Sequence, residues 1–222
     1  MKNSKKILTA AIGAALLSTA TIIPTASAEV AASVTVANKY LWRGLDLGAG
    51  DAAVSGDLTV SNASGAYAGI WGSSGDAALG SEYDLYAGWG GKVGAIDLDV
   101  SVWSYNYPSS DIDPGEATDL VVSVGANGFN GTLYEAVQGD DDNDYRYVTL
   151  GYEMGKYSGM LGIHDFENTD GNPTHLQLGY NYNDNVSFAV SSFVSDDDSA
   201  AGIAAGADSD PQFLVSYSLD IK

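Results

Sequence analysis

The chain has no cysteine and only 9 lysines and arginines among its 222 residues. Without cysteine there is no disulfide framework, no CxxC redox pair and no cysteine-ligated zinc. Against 29 acids, those 9 bases leave a formal net charge of −20. That excludes ordinary nucleic-acid binding, which needs clustered Lys and Arg to displace counterions from phosphates. Beyond residue 28 no apolar run is long enough for a membrane-spanning helix, and no 3.6-residue apolar stripe stands out. GxSxG, HExxH and P-loop patterns are absent. The only histidines are His164 and His175. His164 and Asp165 are adjacent, so on a strand they point to opposite faces and cannot form a dyad. His175 has no evident nucleophile in its sequence context. No catalytic role and no cofactor are therefore expected.

What is present is 45% apolar residues, 27 glycines and 14 tyrosines. So large an apolar share excludes a disordered acidic tail and implies one sizeable apolar surface. Residues 1–28 begin with Lys2, Lys5 and Lys6, continue as an apolar run from Ile7 to about Ile23, and close on Ala26-Ser27-Ala28. A basic start, a short apolar stretch and an A-x-A end predict a cleaved secretory signal peptide over 1–28, with the working domain over 29–222. Export and the absence of cysteine are compatible. Loss of three lysines leaves the remainder still more acidic.

The remainder alternates with period two, the pattern of strands with two unlike faces. Leu176, Leu178, Tyr180 and Tyr182 oppose His175, Gln177, Gly179 and Asn181. Phe213, Val215, Tyr217, Leu219 and Ile221 oppose Ser216, Ser218 and Asp220. About twelve such runs can be read: near 33–43, 52–61, 66–73, 82–90, 95–107, 117–126, 129–137, 144–154, 158–166, 174–182, 186–194 and 212–221. The connections alternate long and short. The long ones are 44–51, 74–81, 108–116, 138–143, 167–173 and 195–211; the short ones are 62–65, 91–94, 127–128, 155–157 and 183–185. Asn127-Gly128 is a strong two-residue hairpin signal, since type I′ turns need positive φ at both central positions. Four of the five prolines (Pro108, Pro114, Pro173 and Pro211) sit in long connections, where a missing N–H breaks no ladder. Acids also concentrate there.

An even strand number, two-faced strands and alternating short turns and long loops predict an all-β, antiparallel up-and-down transmembrane barrel. Lipid offers the backbone no hydrogen-bond partner, so the sheet must close on itself. Twelve strands with long connections first and last put both termini on the short-turn side. Tyr40, Trp42, Trp71, Tyr83, Trp89, Trp103, Tyr105, Tyr107, Tyr145, Tyr152, Tyr180 and Tyr182 are candidates for the aromatic girdles at the two interfaces. A soluble secreted β-sandwich is the alternative; its apolar faces would form a core.

Three stretches carry a family resemblance: Tyr40-Leu41-Trp42-Arg43-Gly44; Gly65-Ala66-Tyr67-Ala68-Gly69-Ile70-Trp71-Gly72-Ser73; and Glu82-Tyr83-Asp84-Leu85-Tyr86-Ala87-Gly88-Trp89, followed by Asp99 to Pro108. In this order they resemble the TorF family of outer-membrane porins. The resemblance is densest from Val34 to Pro108. It implies a barrel in the bacterial outer membrane, a channel, and outer-membrane lipid and lipopolysaccharide as surroundings. The chain departs from a common outer-membrane ending by closing on Lys222 rather than an aromatic residue.

Opposing the polar face to the apolar one predicts the pore-lining residues: Lys39, Arg43, Asp57, Asp84, Asp97, Asp99, Asp119, Glu153, His175, Gln177 and Asp220. Acids outnumber bases, so a narrow, cation-preferring passage for ions or small hydrophilic solutes is expected. Lys39 and Arg43 are expected to pair with facing acids. A non-conducting structural or adhesive barrel is the alternative within the same fold. Asp140-Asp141-Asp142-Asn143-Asp144 has the oxygen-rich look of a calcium loop but lacks the glycine and distant glutamate of an EF-hand. It reads as a solvated loop, as does Asp196-Asp197-Asp198, and no metal site is assigned. Gly69, Gly88, Gly151, Gly162 and Gly179 are expected either to admit a neighbouring side chain inside a small barrel or to mark bulges.

Overall fold

A strand that alternates polar and apolar side chains must give each face its own surroundings. Here a ring of such strands separates the two faces completely. The structure is a computed structural model, and it describes residues 28–138, 145–166, 172–195 and 210–221. Its strands in chain order are β1 (Glu29–Ala37), β2 (Leu41–Trp42), β3 (Leu45–Asp46), β4 (Ala53–Ser61), β5 (Ala66–Asp76), β6 (Gly80–Val93) and β7 (Ile96–Asn106). There follow β8 (Ala117–Ala126), β9 (Phe129–Gln138), β10 (Tyr145–Met154), β11 (Tyr157–Phe166), β12 (Thr174–Asn181), β13 (Val186–Ser195) and β14 (Gln212–Ile221).

β1 and β4 to β14 form one closed barrel of twelve strands, each paired with its neighbour in sequence. Closure is made by β1, which pairs antiparallel with β14 (Ala32 opposite Ile221) and with β4 (Glu29 opposite Ser61). No strand edge of the barrel is left unpaired, which is the condition for a sheet in lipid. β1 begins and β14 ends on the side of the short turns. Asn127 and Gly128 have φ of 53° and 85°, the I′ geometry that their sequence predicts.

The two faces are inverted relative to a water-soluble fold. Val34, Val102, Leu150, Leu178 and Leu219 are exposed, while Thr59, Ser101, Thr149, Gln177 and Ser216 are buried. The apolar core proper is small, with Val121, Tyr134 and Tyr147 at its centre. A sandwich would bury the valines and leucines, each worth about 1.5–3 kcal/mol when removed from water. This barrel turns them outward on every wall, so the sandwich alternative is excluded. Barrel strands run from 8 residues in β12 to 14 in β6, around the roughly 9–11 needed to cross a bilayer.

Aromatic residues divide between the faces. Trp89, Phe129, Tyr152, Tyr157 and Tyr182 are exposed on the outer face at the short-turn end, where an interfacial girdle belongs. Tyr40, Trp71, Trp103, Tyr105 and Tyr145, expected in the girdles, face the interior instead. Trp71 lies against Tyr40, Trp103 stacks on Tyr86 at 4.2 Å and donates to Ser101, and the tyrosines have the hydrogen-bond partners described below.

Four features differ from the sequence reading. The first strand ends at Ala37 rather than 43, so Lys39 and Arg43 lie off the barrel wall, in the connection to β4. That connection, expected only as a long loop over 44–51, folds into the interior and carries β2 and β3, which pair with each other (Leu41 opposite Asp46). The expected long connection 74–81 is short: β5 and β6 extend until only residues 77–79 separate them, and Asp76 Oδ1 accepts the backbone N–H groups of Ala78 and Leu79. The turn between β6 and β7 is likewise tighter than 91–94, with Val93 opposite Ile96. Of the predicted signal peptide, residues 1–27 lie outside the described residues, as do the acidic runs 140–144 and 196–198.

Interior glycines make room for rings. A methyl group on Gly69 would meet the Tyr86 ring, and one on Gly162 would meet His175 Nε2 and the Tyr147 hydroxyl. Gly88 faces Tyr67 and Gly151 faces the Asn130 amide in the same way, so these four admit neighbours rather than mark bulges. Gly162→Ala should therefore cost about 1–3 kcal/mol, the range for overpacking. The urea midpoint of the refolded barrel measures it, with Gly125→Ala, where a methyl has ordinary contacts at 3.6 Å and beyond, as the comparison.

Candidate functional site

The site starts from a turn whose backbone conflicts with its sequence. β2 and β3 are joined by Arg43 and Gly44, with φ of 48° and 86°. Two positive φ values in a two-residue loop define the type I′ hairpin, which favours Asn or Gly at both places. An arginine there holds a left-handed conformation costing roughly 1–2 kcal/mol. Such an outlier points to what its side chain does.

The Arg43 side chain is buried deep in the interior. Its Nη2 donates to Asp119 Oδ2 at 2.6 Å and to the Tyr105 hydroxyl at 3.3 Å. The guanidinium carbon lies 4.2 Å from the ring centre of Trp42, 4.6 Å from Tyr134, 5.1 Å from Tyr147 and 5.4 Å from Tyr145. These are cation–π distances. The charge is thus matched by one carboxylate and surrounded by ring faces, the arrangement that lets a buried cation remain charged.

The backbone of the turn is held too. The Arg43 carbonyl accepts from His164 Nε2 at 2.9 Å, and His164 Nδ1 lies 2.9 Å from the Tyr145 hydroxyl. Because a carbonyl can only accept, Nε2 is the donor in that bond and carries a proton. Gly44 sits on the second histidine: a methyl group there would come within 2.7 Å of His175 Cγ. His175 in turn bonds the Tyr147 hydroxyl through Nε2 at 2.7 Å and Ser191 Oγ through Nδ1 at 3.2 Å. Sequence reasoning found no nucleophile near His175, and the structure supplies Ser191. Both are fully buried, and Tyr147 holds the other nitrogen of His175.

The hairpin base is tied on other sides. Lys39 Nζ donates to Asp46 Oδ2 at 2.8 Å and to Gln212 Oε1 of β14 at 2.7 Å. The Tyr40 hydroxyl donates to Glu82 of β6, which also accepts from Tyr107 at 2.7 Å. Burial, and next the Glu82 carboxylate, push both phenols well above the ordinary tyrosine range. They therefore act as permanent donors. The Ala77 N–H bonds the Leu47 carbonyl at 2.9 Å. Contacts from β6 through β12 and back to β14 carry residues 38–52 across the long-loop half of the interior.

The remaining predicted residues fall into two groups. Asp84 and Gln177 are buried in the same half, and Asp84 Oδ1, Gln177 Nε2 and Arg43 Nε have no hydrogen-bond partner among the described residues. Asp57, Asp97, Asp99, Glu153 and Asp220 lie nearer the short turns. Asp57 accepts from Tyr86 at 2.5 Å and Thr59 at 2.8 Å, and Asp99 accepts from Tyr67 at 2.8 Å. Asp97 pairs with Lys92, while Glu153 and Asp220 are exposed at the strand ends. Sequence reasoning missed Glu82 and the tyrosines 105, 134, 145 and 147 as partners of the hairpin. A usable signal was Trp42-Arg43-Gly44-Leu45, a two-residue turn between apolar residues at the supposed boundary of the first strand and its loop.

A family described as a bacterial protein of unknown function (Gcw_chp) matches residues 22–215. No curated protein matches. Among solved structures, the KdgM porin is 7% identical, with 87% of this chain and 99% of that one covered and a TM-score of 0.46. Outer membrane phospholipase A from Escherichia coli is 13% identical, with 91% and 94% covered and a TM-score of 0.44. The calcium-bound dimer of the Salmonella typhi outer membrane phospholipase is 12% identical, with 86% and 90% covered and a TM-score of 0.44.

Removing one partner of the buried pair strands the other charge. Arg43→Ala should destabilise the folded barrel by about 3–5 kcal/mol, and adding Asp119→Asn should recover part of that loss. Unfolding of the single and double variants in urea gives the coupling. Simple additivity would show that the pair does not latch the hairpin.

Proposed function

The chain belongs to the Gcw_chp family, and from that footing we propose that it is a narrow, cation-preferring channel of the bacterial outer membrane. The observation that carries the reading is the pairing of an apolar outer face with an acidic inner one. Exposed valines and leucines, bounded by Trp89, Tyr152 and Tyr182 near the short turns, suit lipid and interfacial headgroups. On the polar face of the short-turn half, Asp57, Asp97, Asp99, Glu153 and Asp220 stand against Lys92. Carboxylates along the wall, Asp57 and Asp99, with Glu153 and Asp220 exposed at its rim, raise the local concentration of cations and repel anions. Ions or small hydrophilic solutes are the cargo this lining suits.

The resemblance to the TorF porins and the signal-like N-terminus agree with export to that membrane. Lipid and lipopolysaccharide then surround the barrel. The short turns face the periplasm and the long acidic connections the exterior. The hairpin 38–52 sets the bore: it occupies the long-loop half, so conductance is small.

One observation favours a second reading, a non-conducting structural barrel. The hairpin reaches walls on opposite sides, from Glu82 to His175 and Gln212. Planar-bilayer recording in a KCl gradient separates the two. Small unitary currents with a reversal potential of cation sign are expected, and Asp57→Asn with Asp99→Asn should move that potential toward zero. Anion selectivity would defeat the charge argument, and persistent silence would leave the structural barrel.

A further inference from the structure

The surroundings of Arg43 are more than a salt bridge. Asp119, Tyr105, Tyr134, Tyr145 and Tyr147 all belong to the barrel wall, on β7 to β10, whereas the guanidinium they hold arrives on a separate hairpin. Three wall rings lie within 5.4 Å of the guanidinium carbon, and the carboxylate meets it at 2.6 Å. The wall thus presents a preformed cage for a planar organic cation, with ring faces to attract positive charge and one anion to orient it. Arg43 fills it at the expense of a left-handed turn conformation, and its Nε remains without a hydrogen-bond partner among the described residues. Insertion is therefore imperfect on two counts that a free ligand would not share.

We propose that the cage is a binding site for small guanidinium-bearing cations, and that Arg43 is its tethered occupant. A free cation of this class competes with Arg43 for Asp119 and the tyrosines. When it wins, the hairpin loses its latch and only the His164 bond and the base contacts hold it. The site then couples ligand binding to the position of residues 38–52. It goes beyond the channel reading and does not depend on it, since the cage exists whether or not the barrel conducts.

Methylguanidinium is the probe, at millimolar concentration and far below denaturing levels. Calorimetric titration of the refolded, detergent-held full-length barrel should show Arg43→Ala binding one equivalent at least about tenfold more tightly than the unaltered protein. Adding Asp119→Asn to Arg43→Ala should weaken that binding by at least about tenfold. Potassium chloride at matched ionic strength should give no such signal. Equal affinity in the unaltered protein and Arg43→Ala, or indifference to Asp119→Asn, would overturn the proposal. Where Arg43→Ala does not refold alone, as judged by its mobility before and after boiling, methylguanidinium present during refolding should restore the folded form while matched potassium chloride does not. Failure to restore it would overturn the proposal equally. Bilayer recording stays a separate measurement, so silence there leaves the binding result standing.

Discussion

A single charge inside the barrel organises the rest. A guanidinium cannot be removed from water without compensation, so the position of Arg43 dictates what its neighbours must be. Asp119 supplies the opposite charge, and Tyr134, Tyr145 and Tyr147 supply ring faces. The tyrosine hydroxyls need partners in turn, and these are histidines: Tyr145 meets His164 and Tyr147 meets His175. His164 then returns a bond to the Arg43 carbonyl. The circuit closes on the turn from which it began, so backbone strain at Arg43 is held by contacts from β7 to β12. Glycines complete it, because Gly44 and Gly162 leave the space that the His175 ring fills.

The same logic explains why the interior is asymmetric along its length. In the long-loop half, most polar groups are matched against one another and the hairpin, with Asp84 Oδ1, Gln177 Nε2 and Arg43 Nε as the exceptions among the described residues. In the short-turn half, Asp99 and Asp57 are matched by tyrosine hydroxyls, Asp97 by Lys92, and Glu153 and Asp220 are exposed at the strand ends. Tyr67 and Tyr86 pass over Gly88 and Gly69 and donate to Asp99 and Asp57. A phenol leaves the charge on its carboxylate, whereas a lysine would cancel it.

Strands were legible from sequence because alternation is a local property. Leu176 and Leu178 against His175 and Gln177 state the two faces of β12 without reference to any other part of the chain. The Asn127-Gly128 turn was legible for the same reason. The destination of residues 38–52 was not, since a connection of that composition can project outward or inward. What decides is whether a side chain at its tip finds compensation far away in sequence: Arg43 and Asp119 are 76 positions apart. Aromatic placement failed on similar grounds. Tyr105 and Tyr145 have the sequence context of a girdle, and only their hydrogen-bond partners draw them inward. The pairing of Lys39 with Asp46 was nearer to hand, a charge contact across one short hairpin.

The inverted distribution of polar and apolar faces also bears on how the chain reaches its fold. A soluble domain is condensed by hiding its oily residues from water, and the hidden residues then specify which segments meet. Here the oily residues end on the outside, and what meets in the middle is charge, hydroxyl and amide. Water competes well for every one of those groups while the chain is open. Collapse in water would gather the valines and leucines together and produce the wrong object. The bilayer is therefore a reagent in folding: it takes up the outer face and, by excluding water from the backbone, makes closure of β1 on β14 compulsory.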